Sequence, residues 1–125
     1  MKKAVIAVGS HYAGKSKTIN KYLKKILGIG EFEHKFIRNN KNGFILSQSF
    51  EEADRDVDDV ISKYGGYELL VLSARPAHEK YSSLKEVLKK LSRAGYRVSE
   101  VQIDKNADEK YYIAKAKQIL NCLDR

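Results

Sequence analysis

The stretch Gly9-Ser10-His11-Tyr12-Ala13-Gly14-Lys15-Ser16 stands between an apolar run and an amphipathic one, and its reading decides the fold. It satisfies the spacing G-x-x-x-x-G-K-[ST] with no relaxation. Upstream, residues 3–8 form a run that is apolar after Lys3, partly β-branched and ended by glycine, which reads as a buried parallel strand. Downstream, Ile19, Tyr22, Leu23, Ile26 and Leu27 recur in steps of three and four. That spacing predicts a helix over residues 14–27, with Lys17, Lys21, Lys24 and Lys25 mostly off its apolar stripe. A strand, a glycine loop and a helix in that order form a phosphate cradle. The glycines permit a curled backbone whose N–H groups point inward, and the positive end of the helix adds to them. The segment from Gly9 to Lys17 is therefore the candidate phosphate-binding element. Lys15 is placed to reach terminal phosphates, and the Ser16 hydroxyl to bind magnesium.

Working outward, Gly28 and Gly30 end the first helix. Residues 34–38 and 44–49 flank Asn39-Asn40-Lys41-Asn42-Gly43, and the Asn-Gly pair predicts a hairpin turn there. A helix is expected over 50–63, with Val57, Val60 and Ile61 inward, stopped by Gly65-Gly66. Residues 67–73 are the most apolar strand, broken by Arg75-Pro76. A helix over 77–94 follows, then a strand over 96–103 and a last helix through Leu123. Strands alternating with helices argue for a parallel sheet covered on both faces. The expectation is one α/β domain over residues 1–125, a three-layer α/β/α arrangement on a mainly parallel sheet of four to five strands.

At 125 residues there is room for one domain. The single cysteine, Cys122, allows no internal disulfide, which favours a reducing compartment. Two lysines followed by an apolar run imitate a leader, but residues 4–8 are too few for one, and no stretch approaches a membrane span. A soluble cytoplasmic protein with no membrane partner is expected. The net charge of +8 is unevenly spread: the first thirty residues hold seven lysines and no acid, whereas residues 51–59 hold six of the sixteen acids. A basic amino-terminal third suits a polyanion, and a nucleoside triphosphate suffices. The tyrosines are not interleaved with basic residues on one sheet face, so nucleic acid is not expected as the main ligand.

The chain resembles the P-loop nucleoside triphosphatases, and within them the small kinase-like members, on the residues 10–18 that look like their phosphate loop. Residues 101–109, running into the terminal helix, are similar to the last strand and base-contacting loop of nucleotide kinases. Residues 94–98 look like a late turn in kinases related to zeta toxins. The resemblance implies ATP with Mg2+, GTP being less favoured, and base contacts from Lys105 and Asn106. It also implies an acid at the end of the strand beside the first; here Ser73 stands there, a hydroxyl able to bind a metal-held water but bringing no charge. An acid at the end of the second strand is replaced by Ser47-Gln48-Ser49, with Glu51 and Glu52 just beyond. Of the usual lid arginines there is only Arg75, followed by His78 and Lys80.

Arg75 lies just past a strand end, where open α/β sheets bind ligands, and is the candidate second catalytic cation beside Lys15. A solvated arginine is the plain alternative. His11 is expected to contribute backbone rather than imidazole, His78 to start a helix, and Cys122 to be inert. Glu51 and Glu52 are metal candidates, though a solvated acidic helix face is the more economical reading. Two functions follow. One is a small phosphotransferase or ATPase using MgATP. The other is a catalytically weak nucleotide-binding module or regulatory subunit whose missing groups come from a protein partner. A GTPase is disfavoured, because Ser73-Ala74-Arg75-Pro76 occupies the place of an Asp-x-x-Gly switch.

Overall fold

A computed structural model describes residues 2–125. Strand β1 (Lys2–Val8) is flanked by two parallel strands, β4 (Leu69–Ala74) and β5 (Tyr96–Gln102). Because successive side chains alternate across a strand, Ala4, Ile6 and Val8 enter one core with Leu70, Leu72 and Ala74. Val5 and Ala7 enter the opposite core with Leu69 and Val71. Burial on both faces is why these strands read as unbroken apolar runs.

The sheet has five strands in the order β2-β3-β4-β1-β5, all parallel except β2 (Lys35–Arg38), which pairs antiparallel with β3 (Lys41–Ile45). Two helices, α2 (Val57–Tyr64) and α3 (Leu84–Arg93), pack on one face through Val57, Val60, Leu84, Val87 and Leu91. The other face carries α1 (residues 15–26) and α4 (Glu109–Asp124), through Ile19, Leu23, Tyr112, Ala116 and Ile119. The connections after β1 and after β4 thus leave over opposite faces, as a uniform crossover hand demands for steps in opposite directions. Ligands of open α/β sheets bind beyond the carboxyl ends of strands that diverge in this way. Among the described residues no helix is long and apolar enough to cross a membrane.

Helix α1 begins as Lys15–Lys17, widens into π geometry over Thr18–Leu23 and returns to α over Lys24–Ile26. The Lys24 N–H reaches back five residues to the Ile19 carbonyl. Lys24 itself is buried, its ammonium donating to the Glu31 carbonyl at 2.7 Å.

Three boundaries differ from expectation. The hairpin turns at Asn39-Asn40, both at positive φ (51° and 64°), not at Asn42-Gly43. Gly43 instead lies inside β3, where a Cβ would come within 2.2 Å of the Phe36 ring. The second helix starts at Val57 rather than residue 50, because the Asp56 carboxylate caps the Asp58 and Asp59 N–H groups at 2.8 and 3.2 Å. The third starts at Leu84 rather than 77, leaving residues 75–83 as a loop held by side chains from elsewhere.

Candidate phosphate-binding site

Four segments meet beyond the carboxyl ends of the parallel strands: the glycine loop after β1, residues 46–56 after β3, residues 75–83 after β4 and residues 103–108 after β5. The Gly9 N–H donates to the Ala74 carbonyl at 3.1 Å, so the loop starts anchored to β4. A Cβ on Gly9 would come within 2.5 Å of the Ile103 carbonyl oxygen, which makes glycine obligatory against β5 as well. The turn closes with Ala13 N–H to Ser10 carbonyl at 3.0 Å. Gly14 takes φ +103°, a conformation that side-chain-bearing residues resist.

Lys15 is buried at 4% exposure, and its ammonium folds back onto the carbonyls of Gly9 and Ser10, the latter at 3.2 Å. Burial is the largest influence on it and lowers its pKa; Glu52, Glu51 and Glu79 act in the opposite direction, and Arg75 adds to the lowering. Residues 11–17, together with Glu52, line a cleft of about 350 Å³. The Ser16 hydroxyl makes only a long bond, 3.4 Å, to the Ser47 carbonyl. Thr18 is buried with its hydroxyl on the Gly14 carbonyl at 2.8 Å, fixing the first turn.

Ser73 is fully buried at the end of β4, and its hydroxyl has no partner among the described residues. By alternation from Leu69 and Val71 it lies on the α1 face of the sheet. The Arg75 Nε is also buried and has no partner among the described residues, and the Arg75 charge acts on both Lys15 and Glu52. No group of three or more His, Cys, Asp or Glu side chains converges among the described residues.

The acids of residues 51–59 divide, which corrects the expectation of one solvated helix face. Asp56, Asp58 and Asp59 belong to the start of α2, but Glu51 and Glu52 precede it and turn toward the glycine loop. Glu51 accepts the Arg75 N–H at 3.1 Å and the Ser83 N–H at 2.6 Å, holding the loop that sequence reading took for a helix. Glu52 meets His11 Nδ1 at 2.9 Å. Burial bears most strongly on the Glu52 carboxyl and would raise its pKa. The His11 hydrogen bond and the charges of Lys15, His11 and Arg75 outweigh it and hold the group below its ordinary value. Glu79 receives the Ser10 hydroxyl.

Of the remaining expected residues, Tyr12 is 82% exposed at φ 64° and packs against His11 with the rings tilted by 52° and their centroids 3.8 Å apart. The Lys17 ammonium is paired with Glu109 at 2.7 Å. His78 sits in the 75–83 loop and starts no helix. Lys105 and Asn106 are exposed on the 103–108 segment. Tyr112 bridges Asn106 and the glycine loop: its hydroxyl accepts the Asn106 N–H at 2.8 Å, and its single proton faces the Asn106 and Ala13 carbonyl oxygens at 3.0 and 3.3 Å. Nothing in the periodicity of the last helix distinguishes Tyr112 from Ile113 or Ile119. Glu79 likewise carries no local signal, since it acts across 69 residues of chain; Glu51 and Glu52, metal candidates from the sequence, meet their partners across 24 to 41 residues. Compared with protein-family profiles, curated proteins and solved structures, the chain matches none.

Proposed function

We propose that the chain binds a nucleoside triphosphate, ATP with Mg2+, in the cleft over residues 11–17, on a P-loop NTPase fold, and transfers or hydrolyses its terminal phosphoryl group. The observation that carries this reading is Lys15: a buried ammonium whose partners are two carbonyls of its own loop. A buried cation without a carboxylate contact is poorly compensated, and a phosphate is the partner that suits its position. The sheet order, with β1 between β4 and β5, supports the fold assignment.

Lys15 would hold the terminal phosphates and offset charge developing on the transferred group, with Arg75 assisting from the end of β4. Ser16 would bind the metal directly, and Ser73 would orient a metal-held water. Bound magnesium would supply charge neutralisation of the phosphates. Lys105 and Asn106 lie on the segment next to the glycine loop and would contact the base. ATP is preferred to GTP because Asp104-Lys105-Asn106-Ala107-Asp108 does not have the Asn-Lys order of a guanine-reading loop.

Calorimetric titration with ATP, GTP and ADP, each with magnesium, tests the reading alongside Lys15→Ala. ATP binding that Lys15→Ala abolishes is the expected result; no binding by any of the three would overturn it. A second reading, a nucleotide-binding module with little catalysis, is favoured by the end of β4, which is Ser73-Ala74 without an acid. Tight MgATP binding with no turnover over a panel of acceptors would select it, and a protein partner would then supply the missing groups.

A further inference from the structure

Three carboxylates face the glycine loop, and two of them are already engaged. Glu51 has one oxygen on the Arg75 N–H and the other on the Ser83 N–H. Glu79 receives the Ser10 hydroxyl and lies outside the 350 Å³ cleft. Glu52 differs on both counts. It lines that cleft together with Lys15 and Ser16, and only its Oε1 is engaged, by His11. Its Oε2 has no hydrogen-bond partner among the described residues.

Placing a triphosphate in this cleft brings several negative charges up to a carboxylate held ionised by its surroundings. Without a counter-ion that juxtaposition is repulsive. With a divalent cation between them it becomes a site, since magnesium is commonly held by one or two carboxylates plus substrate phosphates. The end of β4 supplies no such carboxylate.

Resting on the nucleotide-binding reading above, we propose that Glu52 is the carboxylate of the magnesium site. It reaches the cleft from the loop after β3, with His11 as the residue that orients it and Ser16 as the hydroxyl donor. His11 then acts as a positioning residue: its hydrogen bond to Oε1 leaves Oε2 for the cation or its bound water. The charge missing from the end of β4 is thereby restored from a neighbouring strand.

The assignment makes a prediction of two opposite signs. Calorimetry would compare ATP affinity with magnesium and with EDTA, in the parent protein and in Glu52→Gln. In the parent, magnesium strengthens ATP binding by about tenfold or more. In Glu52→Gln, metal-free ATP binds more tightly and MgATP less tightly, so the ratio falls toward one. Electron paramagnetic resonance with Mn2+ and ATP gives an independent readout: the protein-bound manganese signal weakens in Glu52→Gln and is restored in Glu52→Asp. His11→Ala lowers the magnesium ratio in the same direction by less. The Glu52 side chain bonds only to His11 among the described residues, so Gln is expected to fold, and a thermal melt checks that. If Glu52→Gln tightens ATP equally with and without magnesium, Glu52 merely repels the nucleotide and the assignment fails while the nucleotide site stands. If the parent binds ATP under neither condition, both fall.

Discussion

The Tyr112 hydroxyl accepts the Asn106 N–H at 2.8 Å and lies 3.3 Å from the Ala13 carbonyl oxygen, while its ring fills the space above Gly14. A Cβ on Gly14 would come within 2.4 Å of that ring. One side chain of α4 therefore fastens the 103–108 segment to the glycine loop. Tyr112→Phe keeps the ring and removes the hydroxyl, leaving the Asn106 N–H without its partner. We expect a loss of about 1–3 kcal/mol, read from chemical denaturation, and weaker ATP binding. Unchanged stability would show that water replaces the hydroxyl.

Lys15 predicts a conflict between stability and binding. Its folded-state pKa is lowered by burial, so between that value and its ordinary 10.5 the unfolded chain binds more protons. Its charge thus weighs against folding at neutral pH, and the penalty fades as pH rises through the depressed value toward 10.5. Lys15→Met should therefore raise the ligand-free melting temperature at pH 7 while abolishing ATP binding. The gain over the parent should shrink as pH approaches 10. A variant less stable than the parent at pH 7 would refute this account.

Glu51 holds the loop after β4 through two backbone N–H groups. Glu51→Gln keeps the shape, removes the charge and places an amide donor against one of those donors. The expected cost is about 2 kcal/mol in denaturation, with faster hydrogen exchange over residues 75–83. A solvated acid on a helix face would show neither effect.

The hairpin of β2 and β3 is tied to the carboxyl end of α4. Arg38 makes two bonds to Asp124, at 3.0 and 2.9 Å, and Asn39 adds one at 3.2 Å. The Arg38 hydrogen bond is the main reason the Asp124 pKa falls below its ordinary 3.8. The tie is present above that value and lost as pH falls through the depressed one. Asp124→Asn should speed hydrogen exchange over residues 35–38 at pH 6, and the difference from the parent should vanish in strong acid. Equal exchange at pH 6 would mean that β2 is held by its pairing with β3 alone.

The segment from β1 through α1 was legible in the sequence because its signals are local: an apolar run, two glycines at a fixed spacing and a stripe at Ile19 and Leu23. The strands β4 and β5 were legible for the same reason. The loops were not. Residues 50–56 continue the polarity of α2 in sequence, yet Phe50 is buried and Asp56 restarts the backbone as a cap. Residues 77–83 contain no helix breaker, but Glu51 draws in the Ser83 N–H from 32 residues away. Gly43 looked like a turn residue because its reason for being glycine, the Phe36 ring, sits on the neighbouring strand. Within the candidate site, Lys15 and Ser16 could be read from the motif. Glu52 and Tyr112 become neighbours of the loop only once β3 and α4 are in place.

Parallel pairing of β3, β4, β1 and β5 gathers the candidate chemistry at one end of the sheet, and the other end is left to turns. Lys2 donates there to the Gly65 carbonyl, and Lys3 reaches the Leu123 carbonyl, so both ends of the described chain lie at the pole away from Lys15. Gly66 has open space around it. A fluorophore, a surface tether or a reporter domain joined at either end, or spliced in at residue 66, would leave the cleft clear. Such attachments give a direct way to watch ligand arrival at the working pole from the idle one.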